Sequence, residues 1–132
     1  MGKQVKKTDN EWKDLLTQKQ YEVLREKGTE LPFSGEYVKH KENGMYTCAA
    51  CGNELFSSDN KFDSSCGWPS FWEVVSKSKI ELKKDTSYSM MRVEVLCKKC
   101  GGHLGHVFDD GPNPTGKRYC INSVSLKFKK KG

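Results

Sequence analysis

Met45-Tyr46-Thr47-Cys48-Ala49-Ala50-Cys51-Gly52 is the stretch on which the fold turns, because its last five residues recur in pattern as Cys97-Lys98-Lys99-Cys100-Gly101. A C-x-x-C turn brings two sulfurs to one point. Glycine after the second cysteine lets the backbone turn so that amide hydrogens face them. Two such knuckles supply four thiolates (Cys48, Cys51, Cys97 and Cys100), the donor set of one closed, structural Zn2+ site. Iron accepts the same donors; zinc is the expected ion. The 45 residues between Cys51 and Cys97 exceed the roughly 15–20 of a self-standing ribbon. The metal should therefore clip two distant hairpins of a larger domain. A rival set, Cys97 and Cys100 with His103 and His106, would leave Cys48 and Cys51 without partners, and the four-cysteine set is preferred.

Around these knuckles the chain has 132 residues, the size of one domain of roughly 100–150 residues. With 35% hydrophobic and 30% charged residues, its core is modest and suits a metal staple. No run approaches the ~18 apolar residues of a membrane span. Met1-Gly2-Lys3-Gln4-Val5-Lys6-Lys7 has no apolar stretch of the secretory kind, so a cytoplasmic protein is expected. The net charge of +6 comes from seven lysines near the ends: Lys3, Lys6, Lys7, Lys127, Lys129, Lys130 and Lys131. Of 23 basic residues, 16 then remain against 17 acidic ones. A nucleic-acid-binding domain would concentrate its basic residues on the folded surface, so no nucleic-acid partner is expected. Residues 1–7 read as a disordered basic tail, 8–128 as a single domain and 129–132 as a basic C-terminal tail.

Two short N-terminal helices are expected. Thr8 with Glu11 and Thr17 with Gln20 make capping boxes, Trp12, Leu15 and Leu16 make an apolar stripe, and Gly28 should end the second helix. From Gly35 onward the pattern is of antiparallel strands. Tyr37–His40 and Met45–Cys48 flank Asn43-Gly44 as a hairpin. Ile80–Leu82 and Met90–Leu96 read as longer strands, residues 101–116 as a glycine-rich loop, and Arg118–Phe128 as one last strand. The fold class is mainly β.

Subtracting the knuckles leaves Cys66, in the aromatic loop Cys66-Gly67-Trp68-Pro69-Ser70-Phe71-Trp72, and Cys120 in the last strand. A lone cysteine is ordinarily a small buried hydrophobe. Period 2 puts Arg118, Cys120, Asn122, Val124, Leu126 and Phe128 on one face. Arg118 can then favour a Cys120 thiolate, and Asn122 can hydrogen-bond near that sulfur. His103 and His106, three and six residues after Cys100, are held near the metal and can serve as proton donors. His40 is taken as a surface or packing residue.

Several segments resemble the methionine-R-sulfoxide reductase (MsrB) family. They are Gly28-Thr29-Glu30 with Pro32-Phe33-Ser34-Gly35, and Phe62-Asp63-Ser64-Ser65-Cys66-Gly67-Trp68-Pro69-Ser70-Phe71. Gly102-His103-Leu104-Gly105-His106-Val107-Phe108-Asp109-Asp110-Gly111-Pro112 follows, and then Pro114-Thr115-Gly116-Lys117-Arg118-Tyr119-Cys120-Ile121-Asn122-Ser123. With the knuckles they span residues 17 to 128. Ser65, where glycine is more usual, and Val124, where alanine is common, are small departures. The resemblance implies antiparallel sheets of the β-tent (Mss4-like) kind. It also implies Cys120 as nucleophile, Cys66 as resolving cysteine and Trp68 as a wall for the substrate methyl group. His103, His106, Asp110, Arg118 and Asn122 are then expected around the reacting centre.

On that reading a Cys120 thiolate attacks the sulfoxide sulfur while a histidine protonates the oxygen. Methionine leaves, Cys120 becomes a sulfenic acid, and Cys66 condenses with it to a disulfide that thioredoxin reduces. The expected partners are oxidised proteins or peptides containing methionine-R-sulfoxide, and thioredoxin, for a monomeric enzyme of protein repair under oxidative stress. A zinc-ribbon binding module would explain the knuckles but not Cys66, Cys120 or the histidines. A thioredoxin-like oxidoreductase is weakened because both C-x-x-C pairs are committed to metal.

Overall fold

A computed structural model describes residues 7–31, 33–64, 66–86 and 91–130. The rest of the N-terminal tail, Ser65, Met90 and residues 131–132 lie outside the described residues. Helices α1 (Asp9–Leu15) and α2 (Gln18–Leu24) open the chain. Both start with reciprocal capping boxes: Thr8 and Thr17 hydroxyls accept the Glu11 and Gln20 amides, whose side chains accept in return at 2.9 Å. Such caps each contribute about 1 kcal/mol. Trp12 and Leu16 are buried, whereas Leu15 points to solvent. The apolar stripe is therefore narrower than expected. Gly28 is not the left-handed residue that ends α2. Lys27 takes that place (φ 60°), and the Gly28 amide donates to the Glu22 carbonyl at 2.8 Å.

Nine strands follow among the described residues. In order they are β1 (Gly44–Cys48), β2 (Glu54–Ser57), β3 (Lys61–Phe62), β4 (Ser70–Phe71), β5 (Ile80–Asp85), β6 (Arg92–Cys97), β7 (His103–Phe108), β8 (Arg118–Ile121) and β9 (Leu126–Lys130). They form two antiparallel sheets, β2-β1-β9 and β3-β4-β8-β7-β6-β5. The sheets meet through aromatic rings. Phe56 of β2 stacks on Phe71 of β4 at 4.4 Å and 18°, and Tyr46 of β1 stands edge-on to Phe71 at 5.2 Å. His40 packs here too, its Nδ1 2.7 Å from the Tyr46 hydroxyl and its ring 4.3 Å from Phe128.

Three expectations are corrected, each by long-range pairing. Residues 36–39 form a turn, not the first arm of a hairpin, and Gly44 begins a strand between β2 and β9. A Cβ at Gly44 would stand 2.3 Å from the Lys129 carbonyl oxygen, so this glycine serves close strand approach rather than a turn. Likewise the glycine-rich segment 101–116 contains β7, a central strand. A Cβ at Gly105 would stand 2.1 Å from the Cys120 carbonyl oxygen.

The last strand is two strands in different sheets. The chain leaves β8 at Asn122, makes a short helical turn at Ser123–Ser125 and continues as β9. The Val124 amide donates to Glu30 Oε1 at 2.9 Å and the Ser125 hydroxyl to the His103 carbonyl at 3.0 Å. Side chains thus satisfy the backbone where a ladder would otherwise have run. The period-2 face breaks there. Lys129 and Lys130, assigned to a tail, pair with Met45 and Gly44 inside the sheet. No helix among the described residues is long and apolar enough to cross a membrane.

Candidate active site and metal centre

Each knuckle lies in the turn between two paired strands, Cys48 and Cys51 between β1 and β2, Cys97 and Cys100 between β6 and β7. The turns are near copies. Gly52 and Gly101 are left-handed (φ 79° and 75°) and donate to the Cys48 and Cys97 carbonyls at 2.8 and 2.7 Å. Glycine alone takes that backbone at no steric cost. The four Sγ atoms lie within 4.8 Å of one another, with Cys48–Cys100 at 3.7 Å and Cys51–Cys97 at 3.5 Å. A tetrahedron with metal–sulfur bonds of about 2.3 Å has edges of about 3.8 Å. The donors are thus placed for one metal ion. The Gly102 amide and Asn53 side chain donate to the Cys100 and Cys97 sulfurs at 3.4 and 3.6 Å, which offsets thiolate charge. The site joins the two sheets, and Arg25 of the α2 C-cap holds the Cys100 carbonyl at 2.9 Å.

Six of the other expected residues meet at a cleft of about 270 Å3: Cys66, Trp68, His106, Arg118, Cys120 and Asn122, joined by Thr29, Arg92, Gly105 and Phe108. A roomier hollow of about 650 Å3, lined by lysines and His40, contains no thiol. Cys120 sits in β8 directly between Ser70 of β4 and His106 of β7. Its Sγ is 3.4 Å from that of Cys66, and both thiols are free.

Sulfurs this close titrate as a pair. The hydrogen bond from the Cys120 thiol pulls Cys66 down to about 4 against its burial, helped by the Ser64 and Ser70 hydroxyls. The same contact, with burial, pushes Cys120 up, while Arg118 pulls it down. One thiolate is thus favoured in the reduced pair, with the Arg118 guanidinium beside it.

The two histidines differ. A bulge between β6 and β7 pairs Leu96 with His103 and Val95 with Gly105, leaving Leu104 as the extra residue. That bulge turns His103 to the same side as His106, with ring centroids 5.4 Å apart. His106 lines the cleft and its Nε2 is 2.8 Å from Asp85 Oδ2. His103 is buried beneath it and does not line the cleft. Its Nδ1 is 2.7 Å from Glu94 Oε2, and burial pulls its pKa down against that carboxylate. Both rings face carboxylates rather than the knuckles, so the rival metal set is not formed.

Asp110 does not line the cleft either. It clasps Arg118 through Oδ1 at 2.8 Å and Oδ2 at 3.1 Å, and the guanidinium, stacked on Phe108, holds the Asp110 carboxyl below its usual range. Asn122 is buried and its amide is already engaged. Nδ2 donates to the Leu104 carbonyl at 3.1 Å, and Oδ1 accepts the Glu30 amide, also at 3.1 Å. The Glu30 carbonyl in turn accepts the Trp68 indole N–H at 3.0 Å.

Sequence reasoning did not single out Glu30, Asp85 or Glu94. Glu30 was visible within Gly28-Thr29-Glu30. The signal for Glu94 was a carboxylate inside the apolar run Val93-Glu94-Val95, which reads as outward-facing until its own face of β6 is known to be covered.

One cluster of sulfurs is arranged to stay put and the other to change its bonding, which is the division of labour of a metal-stapled thiol redox protein. Residues 16–130 match the SelR domain family. A relative in Methanosarcina barkeri, named peptide methionine sulfoxide reductase MsrB, is 66% identical over 127 residues, covering 96% of this chain and 89% of the relative. Proteins with the same name in Methanosarcina mazei and Leptospira interrogans are 62% identical over 126 residues and 57% over 130. They cover 96% and 98% of this chain and 90% and 99% of the relatives, respectively. The chain belongs to the SelR domain (MsrB) family.

Proposed function

We propose that the chain is an oxidoreductase that reduces methionine-R-sulfoxide in peptides and oxidised proteins to methionine, with a disulfide as the oxidised form of the enzyme. The observation that carries this reading is the Cys66–Cys120 pair, 3.4 Å apart at the cleft wall beside Trp68 and His106. The Cys120 thiolate, its charge steadied by Arg118, attacks the sulfoxide sulfur and forms a transient sulfur–sulfur bond. His106 delivers a proton to the oxygen, which passes to the Cys120 sulfur as the transient S–S bond and the original S–O bond break, leaving methionine and a Cys120 sulfenic acid. The Cys66 thiol then attacks that sulfenic sulfur, releasing water and forming the disulfide. Closing from 3.4 Å to a bond of about 2.05 Å needs only local movement. The Trp68 face receives the methyl group, and Asp110 acts through Arg118.

Thioredoxin is the proposed reductant, zinc the proposed ion at the four cysteines, and the cytoplasm the proposed compartment, for a monomer. The test is mass spectrometry after excess dabsylated methionine sulfoxide without reductant. The wild-type chain should become two hydrogens lighter through a Cys66–Cys120 link and should consume the R diastereomer alone. In Cys66→Ser, one equivalent of methionine should still form, the sulfenic acid should be trappable by dimedone, and thioredoxin-supported turnover should collapse. Consumption of the S diastereomer, or unchanged thioredoxin-supported turnover in Cys66→Ser, would sink the reading.

A further inference from the structure

We infer that Asp85 is a positioning residue for this reaction: it holds the His106 ring by Nε2, so that Nδ1 is the nitrogen left to serve the sulfoxide oxygen. The inference rests on the reading of His106 as proton donor. Asp85 ends β5 and is the direct cross-strand partner of Arg92, which begins β6. Its carboxylate is buried, with Oδ2 2.8 Å from His106 Nε2 and 3.6 Å from Arg92 Nη2. A carboxylate can only accept, so it keeps the Nε2 proton in place: the imidazolium gives up its Nδ1 proton, and the neutral ring left behind has Nδ1 bare. Turning the ring over would break that bond.

The groups around His106 leave this task to Asp85. From β6, Arg92 approaches the same carboxylate, and Glu94, the cross-strand partner of His106, is already bonded to His103 at 2.7 Å and Lys27 at 3.2 Å. On β7 itself, His103 stacks edge-on against His106. From β8 and the Cys66 loop come Arg118, Cys120 and Cys66, which share the cleft with it. Asp85 is thus the carboxylate bonded to the cleft histidine, while Glu94 serves the buried one. Orientation is worth a great deal in proton transfer. A misplacement of about 1 Å at a reacting group costs about 10²-fold in rate.

The test reads the ring directly, in metal-loaded protein labelled with 15N. The chain has three histidines, and a His106→Asn variant assigns the signals. In wild type with the imidazole rings neutral, long-range proton–nitrogen spectra should show a single His106 tautomer with its proton on Nε2. In Asp85→Asn that signal should become a mixture or move to Nδ1. Reduction should slow by roughly 10–100-fold in kcat with KM unchanged, and Asp85→Glu should recover part of the loss. Wild-type His106 carrying its proton on Nδ1 would overturn the inference without any variant having to fold. So would an Asp85→Asn enzyme with full kcat. Full kcat in His106→Asn would instead remove the proton-donor reading and the kinetic half of the inference, while the tautomer spectrum still decides the geometric half.

Discussion

At the knuckles sulfur atoms stand 3.5 and 3.7 Å apart, and at the cleft 3.4 Å, yet the two places are built for opposite ends. Separation is therefore not what decides the chemistry. At the knuckles four sulfurs converge, matched glycine turns fix both backbones, and donors from Gly102 and Asn53 face the sulfurs. An ion there bonds every thiolate and leaves none to react. At the cleft two sulfurs meet, one on a loop and one on a strand, with an arginine and a histidine beside them and open space in front. The comparison teaches that number, neighbours and access set a cysteine's fate, and each can be tested separately.

The largest effect should come from Cys120→Ser. Activity should fall by more than about 10³-fold, because an unactivated hydroxyl is a weak nucleophile, while the metal content by atomic spectroscopy stays at one ion per chain. Appreciable turnover in that variant would remove Cys120 from its role. Next in size is Cys97→Ser, or stripping the ion with a strong chelator. Structural metal in such sites is worth roughly 10 kcal/mol or more in apparent binding, comparable with the 5–15 kcal/mol of a whole domain's stability. The cooperative thermal transition should drop steeply or vanish. In the stripped protein an oxidant should link knuckle cysteines, while in the loaded protein it should link Cys66 to Cys120 alone. An unchanged melting temperature without metal would break the comparison at its stapled side.

A subtler effect concerns pH. Cys66 in the folded chain is drawn down to about 4, against about 8.5 for a free thiol. A depressed pKa stabilises the fold above the unfolded value, and that contribution is lost as pH falls from about 8.5 through about 4. Labelling of Cys66 by iodoacetamide should stay fast at pH 6 and fade only as pH approaches 4. Since the first cause is the hydrogen bond from Cys120, Cys120→Ala should return the labelling profile toward that of an ordinary thiol. The smallest effect belongs to Glu30. Glu30→Ala leaves the Val124 amide without its acceptor and should lower stability by about 1–3 kcal/mol in denaturant titration. The Trp68 and Asn122 bonds, made by the Glu30 backbone, should survive it.

Local chemistry was legible in the sequence. The knuckles, both capping boxes and the shared side of Arg118, Cys120 and Asn122 depend on residues two to four apart. What stayed hidden depends on partners far along the chain. Gly105 and Gly44 look like turn residues, and only the Cys120 and Lys129 carbonyls pressed against them reveal why no side chain fits. Asp85 and Glu94 look like surface carboxylates until β7, through its bulge, brings two imidazoles to them. The break after Ile121 was invisible because its cause, the Glu30 carboxylate, lies about ninety residues upstream.

The turn at Ser123–Ser125 has a mechanical meaning. It makes β8 and β9 one continuous piece of backbone, whose near end carries Cys120 and whose far part begins at Leu126, the cross-strand partner of Cys48. A strand that slackens at the knuckle loosens its grip on β9, and the Ser125 amide, which caps the turn, transmits that slack toward Asn122. The four-cysteine site and the reacting sulfur are thus tied to one short run of backbone, with five residues between Cys120 and Leu126.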